Sequence, residues 1–130
     1  MDVSMFFAEN AAKIEHIKYV VSDRFKDEDG NPAEWELAPV SCAVDAKIKQ
    51  KCLVKGKFDN AKYTEEMVAA SVIEPNLNDA RLQDSYHAFN PAQLLERMLT
   101  SGEMNRLILK VLEVNGLSES MNDLIEQAKN

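Results

Sequence analysis

The sequence predicts an α+β fold, mainly helical, in which an N-terminal β-hairpin packs on a bundle of short helices. Three observations carry that reading. Apolar residues alternate with period two on both sides of a Gly-containing turn, DEDGNP at 27–32. The second half follows a helical period, with Leu and Met recurring at i, i+3 and i+4. Between them, residues 73–99 (IEPNLNDARLQDSYHAFNPAQLLERML) hold breakers and caps that end one helix and start two more.

Taken in order, Ser4 caps a short first helix bearing Met5, Phe6 and Phe7, an opening apolar enough to need a docking surface. The hairpin follows. Its first strand runs from Ile17 to Phe25, with Ile17, Tyr19 and Val21 on one face, and its second from Ala33 to Ala38, with Trp35 and Leu37 inward and Glu34 and Glu36 outward. Ser41 starts a helix to about Cys52 with Val44, Ile48 and Cys52 on its apolar stripe, and Gly56 marks a loop. Asp59 or Asn60 caps a helix that carries Tyr63, Met67, Val68, Ser71 and Val72 until Pro75 ends it.

Asn76 or Asn78 caps the next helix, Asp79 to His87, and Asn90 caps a third with Pro91 at its first position and Gln93 reaching back. Thr100 and Glu103 form a T-x-x-E capping box ahead of Met104, Leu107, Ile108, Val111 and Leu112, and Asn115-Gly116 stops that helix. Ser118 or Ser120 opens a last helix with Met121, Leu124, Ile125 and Ala128. These elements read as one domain over 1–130, with the first helix and hairpin at about 4–38 and the helical part at about 41–129.

At 130 residues the chain is long enough to bury about two-thirds of its unfolded surface without disulfides or metal. A formal net charge of −7 and a pI near 4.8 argue against a nucleic-acid backbone or an anionic membrane as partner, since both repel such a surface. Cys42 and Cys52 lie too far apart for a CxxC pair and suit a reducing compartment. The start has no basic region or long apolar run of a secretion signal, and no run reaches the length of a membrane span.

Chemistry is sparse. The chain contains no GxSxG, HExxH, P-loop or Gly-rich dinucleotide loop, and nothing calls for a cofactor or a metal, so the expectation is a protein that is not an enzyme. Asp84, Tyr86 and His87 invite a proton relay, but neighbouring helical positions point in different directions. DEDGN begins like a calcium loop, yet its Gly comes too early and Ala38 stands where the twelfth-position Glu belongs. The one basic block, five lysines between Lys47 and Lys57 with no acid among them, reads as a solvated face or as a contact for an acidic segment, including one from another copy of this chain.

The stretch EPNLNDARLQDSYHAFNPAQLLERML resembles the motif region of the XkdN-like phage tail assembly chaperones. The order of pieces agrees as well: a short helix, IKYVVSDRF, the DEDGNP turn, the Trp-containing strand AEWEL, a helix with a Lys/Cys end, YTEEMVAASVI, PNLNDARLQDSY and LTSGEMNRLILKVLEVNG. The similarity spans roughly Met5 to Gly116, and PNLNDARLQDSY is its specific part. It implies a non-catalytic assembly factor of a phage or prophage, made in the bacterial host cytoplasm and absent from the mature virion. The implied partners are the tape measure protein, kept soluble, and tail tube protein recruited around it; some members have a longer form made by frameshifting. A minor structural component of the virion tail is the alternative, and self-association as a homo-oligomer stays open. A client with unpaired apolar helical stripes requires an apolar groove, for which the candidates are Leu77, Leu82, Tyr86, Phe89, Leu94 and Met98, with Met104 as an adaptable neighbour.

Overall fold

The computed structural model describes residues 1–117. Two 3₁₀ turns, Val3–Phe6 and Ala8–Asn10, open the chain, followed by β1 (Ile17–Tyr19), β2 (Trp35–Leu37), α1 (Cys42–Lys51), β3 (Leu53–Val54) and β4 (Lys57–Phe58). Then come α2 (Asn60–Ser71), β5 (Val72–Glu74), α3 (Ala80–Ser85), α4 (Pro91–Met98) and α5 (Ser101–Val114). The fold is α+β and mainly helical, with a small antiparallel sheet near the N-terminus. The expected last helix, from Ser118 or Ser120 onward, lies outside the described residues.

The sheet is ordered β1-β2-β5, and both pairings are antiparallel. Tyr19 faces Trp35 and Ile17 faces Leu37 in the first pair. Trp35 and Leu37 are buried, as their alternation predicts, and enter one apolar cluster with Met67, Leu94, Leu95, Leu107 and Val111. Burying each such side chain contributes roughly 1.5–3 kcal/mol, so the middle strand is anchored by its side chains as much as by its ladder.

Several expectations need correction. The first helix is two 3₁₀ turns, capped by Asp2 and not Ser4, and neither buries a residue. A run of 3₁₀ turns forms here because, among the described residues, no neighbouring element supplies the packing that makes a short α-helix worthwhile. The first strand stops at Tyr19; beyond it Val21 and Ser22 are buried in a connection, and a lone bridge between Lys26 and Pro32 closes the DEDGNP turn. Gly30 takes φ 81° there, and Asp27 Oδ1 accepts the amides of Asp29 and Asn31, so these residues form a turn held by its own carboxylate.

The helix ahead of Pro75 ends three residues earlier than the proline requires. Val72 and Ile73 are β-branched, Glu74 precedes a proline, and all three prefer extended backbone, which lets them pair with β2 as an edge strand. On α1, Ser41 caps as expected, but only Ile48 of the helix and Cys52 just past it are buried, while Val44 is exposed. The loop at Gly56 is a two-residue hairpin turn between β3 and β4, with Lys55 at φ 52° and Gly56 at φ 76°.

Side-chain caps set the remaining helix starts. Asp59 Oδ1 accepts Lys62 N–H at 3.1 Å, and Asp79 Oδ1 accepts the amides of Arg81 and Leu82. Asp79, not Asn76 or Asn78, therefore caps α3; Asn76 instead accepts the amide of Asn78 in the turn before it. The capping box of α5 is complete in both directions between Thr100 and Glu103. Among the described residues every buried side-chain polar atom has a partner.

Candidate interaction surfaces

The six residues named for a groove separate by depth. Leu77, Leu94 and Met98 are buried in the main core, Leu82 and Tyr86 pack half-buried against it, and Phe89 stands 84% exposed. They do not together line an open groove in this conformation. Leu77 sits in the turn before α3, where its carbonyl accepts Gln83 Nε2 at 2.8 Å, so its side chain is held inward. Leu94 and Met98 lie one helical turn apart on the face of α4 that turns toward the core.

Phe89 is presented by a rigid knuckle between α3 and α4. Its amide donates to Gln93 Oε1 at 2.7 Å, and Gln93 N–H donates back to Asn90 Oδ1 at 2.8 Å. Arg97 Nη1 reaches the carbonyl of His87 at 2.7 Å, and His87 takes φ 56° just past the end of α3. His87 is exposed and serves this reversal of direction, so the structural account of it is a bend in the chain.

An open cleft lies between α2, α4 and α5. Its volume is about 530 Å³, and its walls include Thr64 and Glu65 of α2, Glu96 of α4, Leu99, and Met104 and Ile108 of α5. The periodicity of α5 accounts for it. Leu107 and Val111 are fully buried at the centre of the apolar stripe, leaving Met104 and Ile108 on its flank only partly covered. A stripe wider than the core can cover leaves such a flank at the surface, and that width was the sequence signal for this cleft.

Acid rims this cleft. Burial raises the Glu65 carboxyl above its ordinary range, and a hydrogen bond and charge repulsion from Glu96 add to the effect. Two carboxyl groups thus meet across α2 and α4 beside an apolar floor, which makes a cation on an incoming segment favourable there.

A second apolar face has the opposite sign. Leu53 and Phe58, Cα partners across β3 and β4, project beside Ala46, Lys49 and Gln50 of α1 around a shallow hollow of about 420 Å³. Leu53, Val54 and Phe58 are all exposed. Tyr63 anchors this face from below: its ring lies 5.5 Å from that of Phe58, and its hydroxyl donates to Asp45 Oδ1 at 2.5 Å. Burial and the Asp45 carboxylate push the Tyr63 hydroxyl up to about 12. Lys49 pairs with Asp45 at 2.9 Å, while Lys47, Lys55 and Lys57 make no ion pair among the described residues.

Two polar networks escaped the sequence reading. Arg24 Nε donates to Glu103 Oε2 at 3.0 Å and its Nη2 to Met98 O at 2.8 Å, tying the connection after β1 to the start of α5. Asn115 donates to Ser71 Oγ and Val111 O and accepts Val40 N–H at 2.9 Å, joining α2, α5 and the chain after β2. Both are structural. Among the described residues no group of three or more acidic, His or Cys side chains is placed to hold a metal, and no helix is long and apolar enough to cross a membrane.

The family model for the phage XkdN-like tail assembly chaperone protein matches residues 3–129. The phage-like element PBSX protein XkdN of Bacillus subtilis (strain 168) is 29% identical, over 99% of this chain and 94% of that protein. A protein of the same strain named YqbN is 25% identical, over 99% and 93%. The crystal structure of YqbN superposes with a TM-score of 0.83 at 20% identity, covering 89% of this chain and 97% of that one, and so shares the fold.

Proposed function

Because the chain belongs to the XkdN-like family of phage tail assembly chaperones, we propose that it binds the tape measure protein in the host cytoplasm, keeps it soluble and assists assembly of tail tube protein around it, without catalysis. The observation that carries this reading is the acid-rimmed apolar cleft between α2, α4 and α5. A long helical client exposes an apolar stripe until its partners arrive. Met104, Ile108 and Leu99 offer that stripe an apolar seat, and Met104 adapts its shape to successive turns of a client helix.

The rim supplies selectivity. Glu65 and Glu96 favour a helix whose stripe is flanked by Lys or Arg, and they discourage this acidic chain from occupying its own cleft. Phe89, exposed on its knuckle, is a second contact for the client. Leu77, Leu82, Tyr86, Leu94 and Met98 act in this reading by shaping the helices beneath the contact surface.

Co-expression with the tape measure protein of the same genome tests the proposal. The expected result is affinity capture of that protein and its transfer from the insoluble to the soluble fraction. No capture, with the client equally insoluble in the presence and absence of this chain, would overturn it. Recovery of the chain from purified particles by mass spectrometry would overturn the assembly-only role and identify a virion component.

A further inference from the structure

The first sixteen residues contain no buried side chain, although they carry Val3, Met5, Phe6, Phe7 and Ile14, exposed by 49–72%. Among the described residues nothing covers this apolar segment, and an uncovered surface of this size marks a docking element. Its backbone is nonetheless organised: Asp2 caps the first 3₁₀ turn, and Asn10 Nδ2 donates to Ser4 O at 2.7 Å. The arm is a shaped ligand more than a loose end.

Charge decides which face receives it. The arm holds Asp2, Glu9 and Glu15 against a single Lys13. The cleft between α2, α4 and α5 is rimmed by Glu65 and Glu96, which repel it. The hollow on α1 and the β3–β4 hairpin has exposed Leu53 and Phe58 on its floor and Lys49, paired with Asp45, on its wall; Lys55 in the hairpin turn and Lys57 on the hairpin's other face add positive charge nearby, without ion pairs among the described residues. We infer that the N-terminal arm of a second copy of this chain docks on the lysine-flanked apolar face formed by α1 and the β3–β4 hairpin.

Reciprocal exchange of two arms makes a two-fold dimer in which each copy both gives an arm and receives one. Residues 11–16, between the second 3₁₀ turn and β1, span up to roughly 20 Å when extended and can carry the folded turns across to a neighbouring copy. Phe6 and Phe7 supply aromatic anchors of the kind that dominate interfaces, and the lysines accelerate encounter and set orientation. The cleft proposed for the client stays open in such a dimer, so one particle would present two client sites.

Sedimentation equilibrium of the full chain over a range of concentrations tests the inference, and no client is needed, so its failure and that of the chaperone reading are separately visible. The wild type is expected to dimerise. Phe6→Ser/Phe7→Ser should weaken the dimer about tenfold or more. Lys55→Asp/Lys57→Glu should weaken it chiefly at low salt, and Asp suits the left-handed backbone at 55. Combining the two pairs should cost less than the sum of their separate effects, because both act on one contact. All four positions are exposed, so circular dichroism should stay unchanged, and Phe89→Ser serves as an exposed aromatic control that leaves the dimer intact. A photo-crosslinker at position 7 should join two chains at residues 46–58. A monomer at every concentration, a dimer indifferent to both pairs of substitutions, equal weakening by Phe89→Ser, or crosslinking within one chain only would each overturn the inference.

Discussion

Glu103 joins a local signal to a distant one. Its spacing from Thr100 marks a capping box in the sequence, and that box forms as read. Its second partner, Arg24, lies 79 positions away, and no local pattern announces a pairing made only by folding. Arg24, then the Ser22 hydroxyl and the Thr100 amide, hold the Glu103 carboxyl well below the usual carboxylate range. A depressed folded value means that the unfolded chain binds the proton first as pH falls. The stabilisation is therefore complete above the unfolded value of about 4.3 and is lost progressively as pH drops below it toward the folded value. Glu103→Gln should melt several degrees below wild type at pH 7, with the gap closing under increasingly acid conditions; a gap that stays constant with pH would contradict this assignment. Asn115 teaches the same lesson. Asn-Gly is legible as a helix stop, but the side chain's two tertiary hydrogen bonds, to Val40 and Ser71, are not.

Helix periodicity reports which face is apolar, and not what covers that face. Leu94 and Met98 fit a client groove and a core stripe equally well by spacing, and the structure puts them in the core. Phe89 differs because Asn90 and Pro91 start a helix right after it, leaving its ring at a junction. Pro75 was legible as a terminator, whereas β5 was not: three residues are too few to show a period, and only pairing with β2 makes them a strand. The contact of α2 with α4 has a pH signature of its own. Glu65 is raised by burial and by Glu96, so the folded state binds this proton more tightly than the unfolded one, and stability falls as pH rises through the raised value. Glu65→Gln removes the half-buried charge and should raise the melting temperature at pH 7, with the advantage fading at pH values below the ordinary carboxylate range. A variant less stable than wild type at pH 7 would show that the carboxylate is needed between these helices.

On the scale of the whole molecule, the described residues place two partly uncovered apolar surfaces under opposite charge. Glu65 and Glu96 rim the cleft of α2, α4 and α5, while lysines flank the face of α1 and the β3–β4 hairpin. Composition made the excess of acid legible, and the block at 47–57 made the exception legible, but the cleft itself arises where three helices from separate parts of the chain converge. The architecture of hairpin and short capped helices was readable because most junctions carry their own Pro, Gly or capping Ser, Asp, Asn or Thr. The central claim is that the client's helix occupies this cleft. Hydrogen exchange of the chain alone and in complex with the tape measure protein measures it most directly. The account predicts new protection at residues 61–65 and 96–108 with little change at 46–58; protection confined to 46–58, or none at 96–108 in a complex that demonstrably forms, would contradict it.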